Sequence, residues 1–154
     1  IIYGSGNFLI RRAAFARLDD PRFDLRFNFL GGGDTDFFVR CRKAGLPFYW
    51  AADAVITETV PQARTQLRWL ITRGLRIGAI NYRIEAKAAD TLAARLRLVG
   101  KLAARLPFSL WRAARLMLSE PTLSAAAHPV IVAVGAVLAA LGVEPQAYKA
   151  AKIA

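Results

Sequence analysis

The stretch LGGGDTDFFVRCRKAG, residues 30–45, carries the clearest local signals in this chain. Three consecutive glycines near its start allow positive φ angles and a close approach of the backbone to a ligand. Asp34 or Thr35 is predicted to cap a helix over 36–44, and Gly45 is predicted to end that helix in the left-handed conformation. Three of its side chains fall on one face and are expected to be buried: Phe37, Phe38 and Cys41.

Short apolar runs on either side of this stretch predict an α/β arrangement. Residues 46–51 and 54–57 are typical of two short strands. Ile1–Tyr3 is typical of a strand end, 8–10 of a short strand or a helix lead-in, and 11–18 of a helix. The chain is therefore predicted to be globular and α/β up to about residue 60.

Composition limits the possible classes of protein. The chain has 154 residues, is 55% hydrophobic and carries a formal charge of +11, which favours a negatively charged partner such as nucleic acid or an anionic membrane. One cysteine and one histidine exclude an internal disulfide framework and metal sites built from several thiolates or imidazoles. Because the chain opens on strand-like residues without a methionine, we expect it to be part of a longer protein.

The downstream part is predicted to be helical and is divided from the rest by composition. Residues 62–87 are predicted to form a helix, with an interruption at Gly74 or Gly78 as an alternative. We expect three segments: a first domain over 1–88 that includes the α/β part, a basic amphipathic segment over 89–120, and an apolar segment over 121–154.

The basic segment has one cationic side. Taken at 100° per residue, five cations fall within an arc of about 80°, and large apolar side chains lie roughly opposite. Pro107 is expected to kink or split this helix. The pattern favours an anionic membrane surface, and a surface helix packed on the domain is the alternative. The five cations are Arg97, Lys101, Arg105, Arg112 and Arg115.

The apolar segment leaves three alternatives open. Residues 125–143 form a mildly hydrophobic run that reaches the lower limit of a transmembrane span. The same run fits a re-entrant or interfacial helix, or a helix packed in a protein core. Together with the basic segment, this run predicts a protein that is peripheral to a membrane or has one C-terminal membrane segment.

The glycine turn presents a candidate catalytic acid. A carboxylate at the start of a helix is stabilised as the anion by the helix dipole and the free N–H groups, which suits a general base. The alternative for Asp34 is an ordinary N-cap after a glycine turn. The Asp34-Thr35-Asp36 spacing imitates a metal-binding D-x-D motif, but Asp36 falls in the first helical turn, where acids are favoured in any case.

A series of short motifs follows one order along the chain: Gly4-Ser5-Gly6-Asn7, Arg11-Arg12, Phe23-Asp24, Gly32-Gly33-Asp34-Thr35-Asp36-Phe37, Arg40, Ala44-Gly45, Trp50, Ala54-Val55, Glu58, Pro61, Arg64 and Arg68-Trp69. In order and spacing these motifs resemble the second half of the family 2 inverting glycosyltransferases, in the bacterial exopolysaccharide and cell-surface glycan branch. The resemblance covers about residues 3–83, over half of the chain.

The resemblance implies a GT-A fold, of which this chain would be the C-terminal, acceptor-side half. The N-terminal half would be a Rossmann-like domain that holds the nucleotide-sugar donor and a divalent metal, Mg²⁺ or Mn²⁺, through its D-x-D motif. No metal ligand is therefore expected in this chain. The family's proposed general base maps onto Asp34, and the acid that usually precedes it is replaced by Gly33.

A second departure concerns processivity. Members that polymerise carry a Q-x-x-R-W motif, and Thr65 occupies the place of its glutamine, before Arg68 and Trp69. The resemblance thus implies transfer of a single sugar to a hydroxyl of a glycan or lipid-linked acceptor. This chain alone is expected to be inactive, because the donor half is absent.

Other candidate binding residues carry chemistry that fits such a reaction. Arg64 and Arg68, at i and i+4, are candidates for the donor diphosphate, with a solvated basic face as the alternative. Trp69 is a candidate for stacking on a sugar, or a core residue. Glu58 is a candidate for an acceptor hydroxyl, or a surface acid.

The loop that begins the resemblance supplies the last candidates. Gly6 and Asn7 are expected near the acceptor or donor sugar, together with Gly33 and Asp36 of the glycine turn; Asn7 is also a common turn residue. The competing function is a non-catalytic basic module that anchors to membranes or binds nucleic acid. Nucleic acid is disfavoured, because the cations lie beside long Leu/Ala faces without a recognisable binding motif.

Overall fold

The computed structural model of the chain describes residues 6–119 and 123–143. Short 3₁₀ helices occur at Arg12–Arg17, Leu25–Phe27 and Gln62–Thr65. The α-helices of the described part are α1 (Gly33–Lys43), α2 (Leu67–Lys87), α3 (Leu92–Ser119) and α4 (Leu123–Ala140). Internal contacts divide the described residues into two units: 6–28 with 32–59, and 29–31 with 60–119 and 123–143.

The predicted α/β fold, the C-terminal half of a GT-A domain, is wrong for the part of the chain that the structure describes. No strand occurs in 6–119 or 123–143, so 8–10, 46–51 and 54–57 are not strands. A strand needs a neighbour to take up its backbone groups. The backbone-to-backbone hydrogen bonds of the 46–57 segment are local instead, as from Val55 N–H to the Asp53 carbonyl at 3.0 Å. The predicted strand end at Ile1–Tyr3 lies outside the described residues.

In the first unit, helix α1 is packed through the face that its sequence predicts. Phe37, Phe38 and Cys41 are all buried, and Gly45 ends the helix at φ +71° as expected. Aromatic neighbours surround this face, including Phe8, whose ring centroid lies 5.1 Å from that of Phe38 in an edge-on contact. The partly buried residues that complete the cluster are Ile10, Phe15, Leu18 and Leu46.

In the second unit, α4 packs against both α2 and α3. The contact with α2 depends on glycine. A Cβ atom at Gly78 would lie 2.0 Å from the carbonyl oxygen of Val132, and one at Gly135 would lie 2.1 Å from that of Leu75. The backbones of the two helices are therefore in direct contact, which only a residue without a side chain permits.

Three sequence expectations about this unit change. Helix α2 runs through Gly74 and Gly78 without interruption, and the break in the predicted 62–87 helix lies at Gln66, whose backbone is extended (φ −71°, ψ 143°). Pro107 does not split the basic helix, since α3 is continuous from Leu92 to Ser119. Within the described residues, no helix combines the length and the hydropathy that crossing a bilayer requires. Helix α4, which contains most of 125–143, packs against α2 and α3, and the re-entrant or interfacial alternative for this run stays a prediction.

Candidate active site

The glycine turn before α1 is the local device that positions Asp34. Gly31 and Gly32 both have left-handed backbones, with φ of 84° and 86°. Gly32 is the N-cap of α1, in place of the predicted Asp34 or Thr35, and its carbonyl accepts the first helical hydrogen bond from Asp36 N–H at 3.0 Å. Since L side chains rarely adopt such φ values, the turn requires glycine. It places Asp34 in the first turn of α1, at the positive end of the helix dipole.

The carboxylate of Asp34 is held through one of its two oxygens. Oδ1 accepts a hydrogen bond from the Thr35 N–H at 2.8 Å and lies 3.5 Å from Thr35 Oγ1. Oδ2 has no hydrogen-bond partner among the described residues, and the side chain is half-buried. Asp34 is therefore oriented by its own helix and keeps an oxygen that can accept a proton.

Asp36, two residues further on, has a different environment. Its side chain is 2% exposed, and Oδ2 accepts a hydrogen bond from Arg40 Nε at 2.9 Å. Arg40 also donates to the carbonyl oxygens of Asp20 and Arg22, and its guanidinium lies 5.5 Å from the Phe37 ring centre. Through Arg40, the buried pair connects the loop at 20–22 to α1, so Asp36 has a structural role. The predicted contact of Asp36 with substrate stays a prediction.

The loop at Gly6 and Asn7 is joined to the segment near residue 55. Asn7 Nδ2 donates to the Ala54 carbonyl at 2.7 Å, and a Cβ at Gly6 would lie 3.9 Å from Ile56 Cδ1. Glu58, in the same unit, is exposed.

Gly33, the first residue of α1, is not constrained in the way its two predecessors are. An added Cβ there would meet only Phe27 Cβ at 3.8 Å, an ordinary contact. The predicted sugar-binding role of Gly33 therefore does not follow from a steric need for glycine at that position, and it stays a prediction.

The remaining candidates, Arg64, Arg68 and Trp69, belong to the second unit. The extended backbone at Gln66 separates Arg64, at the end of a 3₁₀ helix, from Arg68, in the first turn of α2. The two arginines are thus not one turn apart on a single helix, as their spacing predicts. Trp69 is partly buried, and the Arg73 guanidinium lies 5.1 Å above its ring, a cation–π contact that occupies one face.

The cysteine next to this site is a packing residue. Burial raises the pKa of the Cys41 thiol, more than the positive charge of Arg40 lowers it. A thiol with a raised pKa carries little thiolate near neutral pH, and thiolate is the nucleophilic form. Cys41 is therefore unsuited to covalent catalysis, as its place beside Phe37 and Phe38 predicts.

A protein-bound metal ion needs several donor side chains close together. Among residues 6–119 and 123–143, no three His, Cys, Asp or Glu side chains are grouped so that they could hold a metal ion. Within the described residues there is therefore no donor group that fits a divalent metal ion. The prediction that Mg²⁺ or Mn²⁺ binds to another part of the protein stays a prediction.

Arg40 has a structural role that was not predicted from the sequence. It appeared only as part of a motif, yet it joins Asp36 to two backbone carbonyls. The signal was present, since an acid and an arginine four residues apart on a helix face one another. Asp20 belongs to the same loop, and its hydrogen bond from Arg22 lowers the pKa of its carboxyl group.

Comparisons with known proteins give one relative. No protein-family model matches the chain, and no solved structure matches it. Over 86 residues the chain is 40% identical to the succinoglycan biosynthesis protein ExoM of Rhizobium meliloti (strain 1021). The match takes in 56% of this chain and 28% of that protein, so the chain spans well under half of its relative. Over that region, the chain is similar to a bacterial exopolysaccharide-biosynthesis protein.

Proposed function

We propose that this chain is the acceptor-side part of a bacterial exopolysaccharide glycosyltransferase of the family 2 inverting type, with Asp34 as its general base. The similarity to a succinoglycan biosynthesis protein supports the biosynthetic role. The motif series supports the reaction type. The observation that carries the assignment of the base is the contrast between the two acids of the glycine turn.

That contrast concerns which acid can take up a proton. Asp36 is 2% exposed and bound to Arg40, so its charge is already compensated inside the protein. Asp34 is half-buried, fixed through Oδ1 alone, and follows a turn of three glycines, which have no side chain to obstruct the approach of a ligand. A general base needs a fixed carboxylate with a free oxygen within reach of the substrate, and of the two acids Asp34 meets this need.

The proposed reaction consists of one proton transfer, one bond that forms and one bond that breaks. Asp34 removes the proton from an acceptor hydroxyl while that oxygen forms a bond to the anomeric carbon of the donor sugar. The bond between the anomeric carbon and the diphosphate breaks, and the nucleoside diphosphate leaves with the electron pair. Attack from the face opposite the leaving group inverts the anomeric configuration. Arg64 and Arg68 are proposed to compensate the charge of the leaving diphosphate, since guanidinium groups bind phosphate well.

The substrates follow from the same proposal. The donor is a nucleotide-sugar and the acceptor a glycan or lipid-linked hydroxyl, at the cytoplasmic face of the bacterial inner membrane. Asn7, Gly6 and Glu58 are proposed on the acceptor side. Thr65, in place of the glutamine found in polymerising members, supports transfer of a single sugar.

The test is the stereochemistry of transfer by the full-length protein. It is incubated with UDP-glucose or UDP-galactose and with lipid-linked oligosaccharide from a bacterial membrane extract, and the new linkage is analysed by proton NMR. We expect one added sugar per acceptor, with the anomeric configuration inverted relative to the donor. A retained configuration would contradict the inverting mechanism, and long polymer products would contradict single-sugar transfer.

A further inference from the structure

One flank of the exposed surface of α3 is apolar. Positions that recur every three or four residues are partly or fully buried, among them Leu98, Leu102 and Ser109. Five large apolar residues instead fall within about 60° of one another on the helix and are between 47% and 75% exposed. We call this set the apolar face: Leu92, Leu96, Val99, Leu110 and Met117.

Most cations of α3 lie on another exposed side of the helix, about 100° or more around it from the apolar face. Helix α3 contains six Arg or Lys residues and no Asp or Glu. Lys101 and Arg105 are paired with Glu85 of α2, with Lys101 Nζ 3.7 Å from its carboxylate. The other four are exposed and make no ion pair among the described residues. Arg95 lies apart from the rest, and the remaining three fall within about 60° of one another on the helix. We call them the flanking cations: Arg97, Arg112 and Arg115.

Two exposed aromatic residues lie on the cationic side of α3 and between that side and the apolar face. Phe108 and Trp111 are 59% and 53% exposed, and their ring centroids are 5.5 Å apart. The Arg115 guanidinium lies 5.2 Å above the Trp111 ring. Trp side chains with one wet and one apolar end favour the boundary between lipid headgroups and acyl chains.

We propose that α3 binds the surface of an anionic lipid bilayer. The apolar face enters the headgroup–acyl boundary, and the flanking cations contact the negative headgroups. Two features select this partner over a second protein: the helix has no acid, and its exposed surface carries the apolar face on one side and grouped, unpaired cations on another. Charge complementarity of this kind is what holds basic amphipathic helices on membranes. The inference does not depend on Asp34 or on the proposed reaction.

Three multiple variants of the full chain test the proposal by sedimentation with vesicles of phosphatidylcholine, with and without phosphatidylglycerol. The first replaces part of the apolar face: Leu96→Ser, Val99→Ser and Leu110→Ser. The second reverses the flanking cations: Arg97→Glu, Arg112→Glu and Arg115→Glu. The control reverses three exposed cations of the first unit and changes the net charge equally: Arg11→Glu, Arg42→Glu and Lys43→Glu. Because every substituted side chain is exposed, the variants retain their helices, which circular dichroism verifies.

We expect the wild-type chain to bind only the vesicles that contain phosphatidylglycerol. Reversal of the flanking cations weakens this binding by about a hundredfold or more at low salt, and the serine variant weakens it by at least about tenfold at every salt concentration. The control changes it less than threefold. Quenching of tryptophan emission by brominated lipid is expected to disappear in Trp111→Phe.

Several results would overturn the proposal. Unchanged binding in both α3 variants would mean that another surface holds the membrane. An equal loss in the control would mean that net charge alone acts. Duplex DNA bound more tightly than anionic vesicles would make nucleic acid the partner. Concentration-dependent dimers that the serine variant abolishes, without vesicle binding, would mean that a second copy covers the apolar face.

Discussion

The close contact between α2 and α4 makes one substitution especially informative: Gly78→Ala. The added Cβ would lie 2.0 Å from the Val132 carbonyl oxygen and 2.7 Å from the Ala136 nitrogen. Both are backbone atoms, so the helices must separate by about 1.4 Å to restore an ordinary contact. Overpacking of this kind costs about 3 kcal/mol, and the better helix propensity of alanine returns about 1 kcal/mol. We expect the free energy of unfolding to fall by about 2 kcal/mol.

The matched control for this substitution is Gly100→Ala in α3. An added Cβ at Gly100 meets nothing within 4 Å, so only the propensity gain remains and stability is expected to rise by up to about 1 kcal/mol. Urea unfolding followed by circular dichroism at 222 nm measures both variants. Gly135→Ala should resemble Gly78→Ala, since its Cβ would lie 2.1 Å from the Leu75 carbonyl. A Gly78→Ala protein as stable as Gly100→Ala would show that the two helices do not meet as described.

Two further predictions concern the first unit. Asp36→Asn removes the charged partner of Arg40 from a buried pair, so the free energy of unfolding is expected to fall by about 3 kcal/mol. Asp34→Asn should lower it by less than about 1 kcal/mol. Equal losses of the two variants in urea titrations would contradict the structural role of Asp36. Because burial raises the pKa of Cys41, its thiol should react with a disulfide reagent far more slowly in the native than in the urea-unfolded chain. The unfolded chain loses this proton at a lower pH than the folded chain. The contribution of the Cys41 thiol to the free energy of unfolding is therefore complete below the ordinary thiol pKa and is lost as pH rises through the raised pKa of the folded chain. Cys41→Ala should remove that dependence, and native labelling at the unfolded rate would refute the burial.

The periodicity of the sequence predicted those features that depend on side-chain spacing within a single helix. The buried face of α1 and its glycine end at Gly45 follow from side-chain spacing within one element, and the structure confirms them. The basic segment predicted over 89–120 is helical over Leu92–Ser119, without the predicted split at Pro107. The strands at 46–51 and 54–57 failed because a strand depends on a partner elsewhere in the chain. Short apolar runs have strand propensity even where no partner strand is present. Here Tyr49 and Trp50 are about 90% exposed, so this run is not packed as a strand would be.

Tertiary contacts explain the other differences. Gly74 and Gly78 looked like helix interruptions because propensity penalises glycine, but the close approach of α4 outweighs that penalty. Of the candidate site, the glycine turn and the place of Asp34 at the start of a helix were predictable from sequence. The separation of Arg64 from Arg68 was not, since a single extended residue, Gln66, changes the phase between them.

The assignment of Asp34 as general base is tested most directly by Asp34→Asn in the full-length protein, with Asp19→Asn, another acid of the same unit, as the exposed control. Turnover of the nucleotide-sugar and its equilibrium binding are measured on the same preparations. We predict that Asp34→Asn folds, binds the donor as the wild type does and turns over roughly a hundredfold more slowly or worse, while Asp19→Asn is unaffected. Near-normal turnover by a folded Asp34→Asn protein would contradict the account.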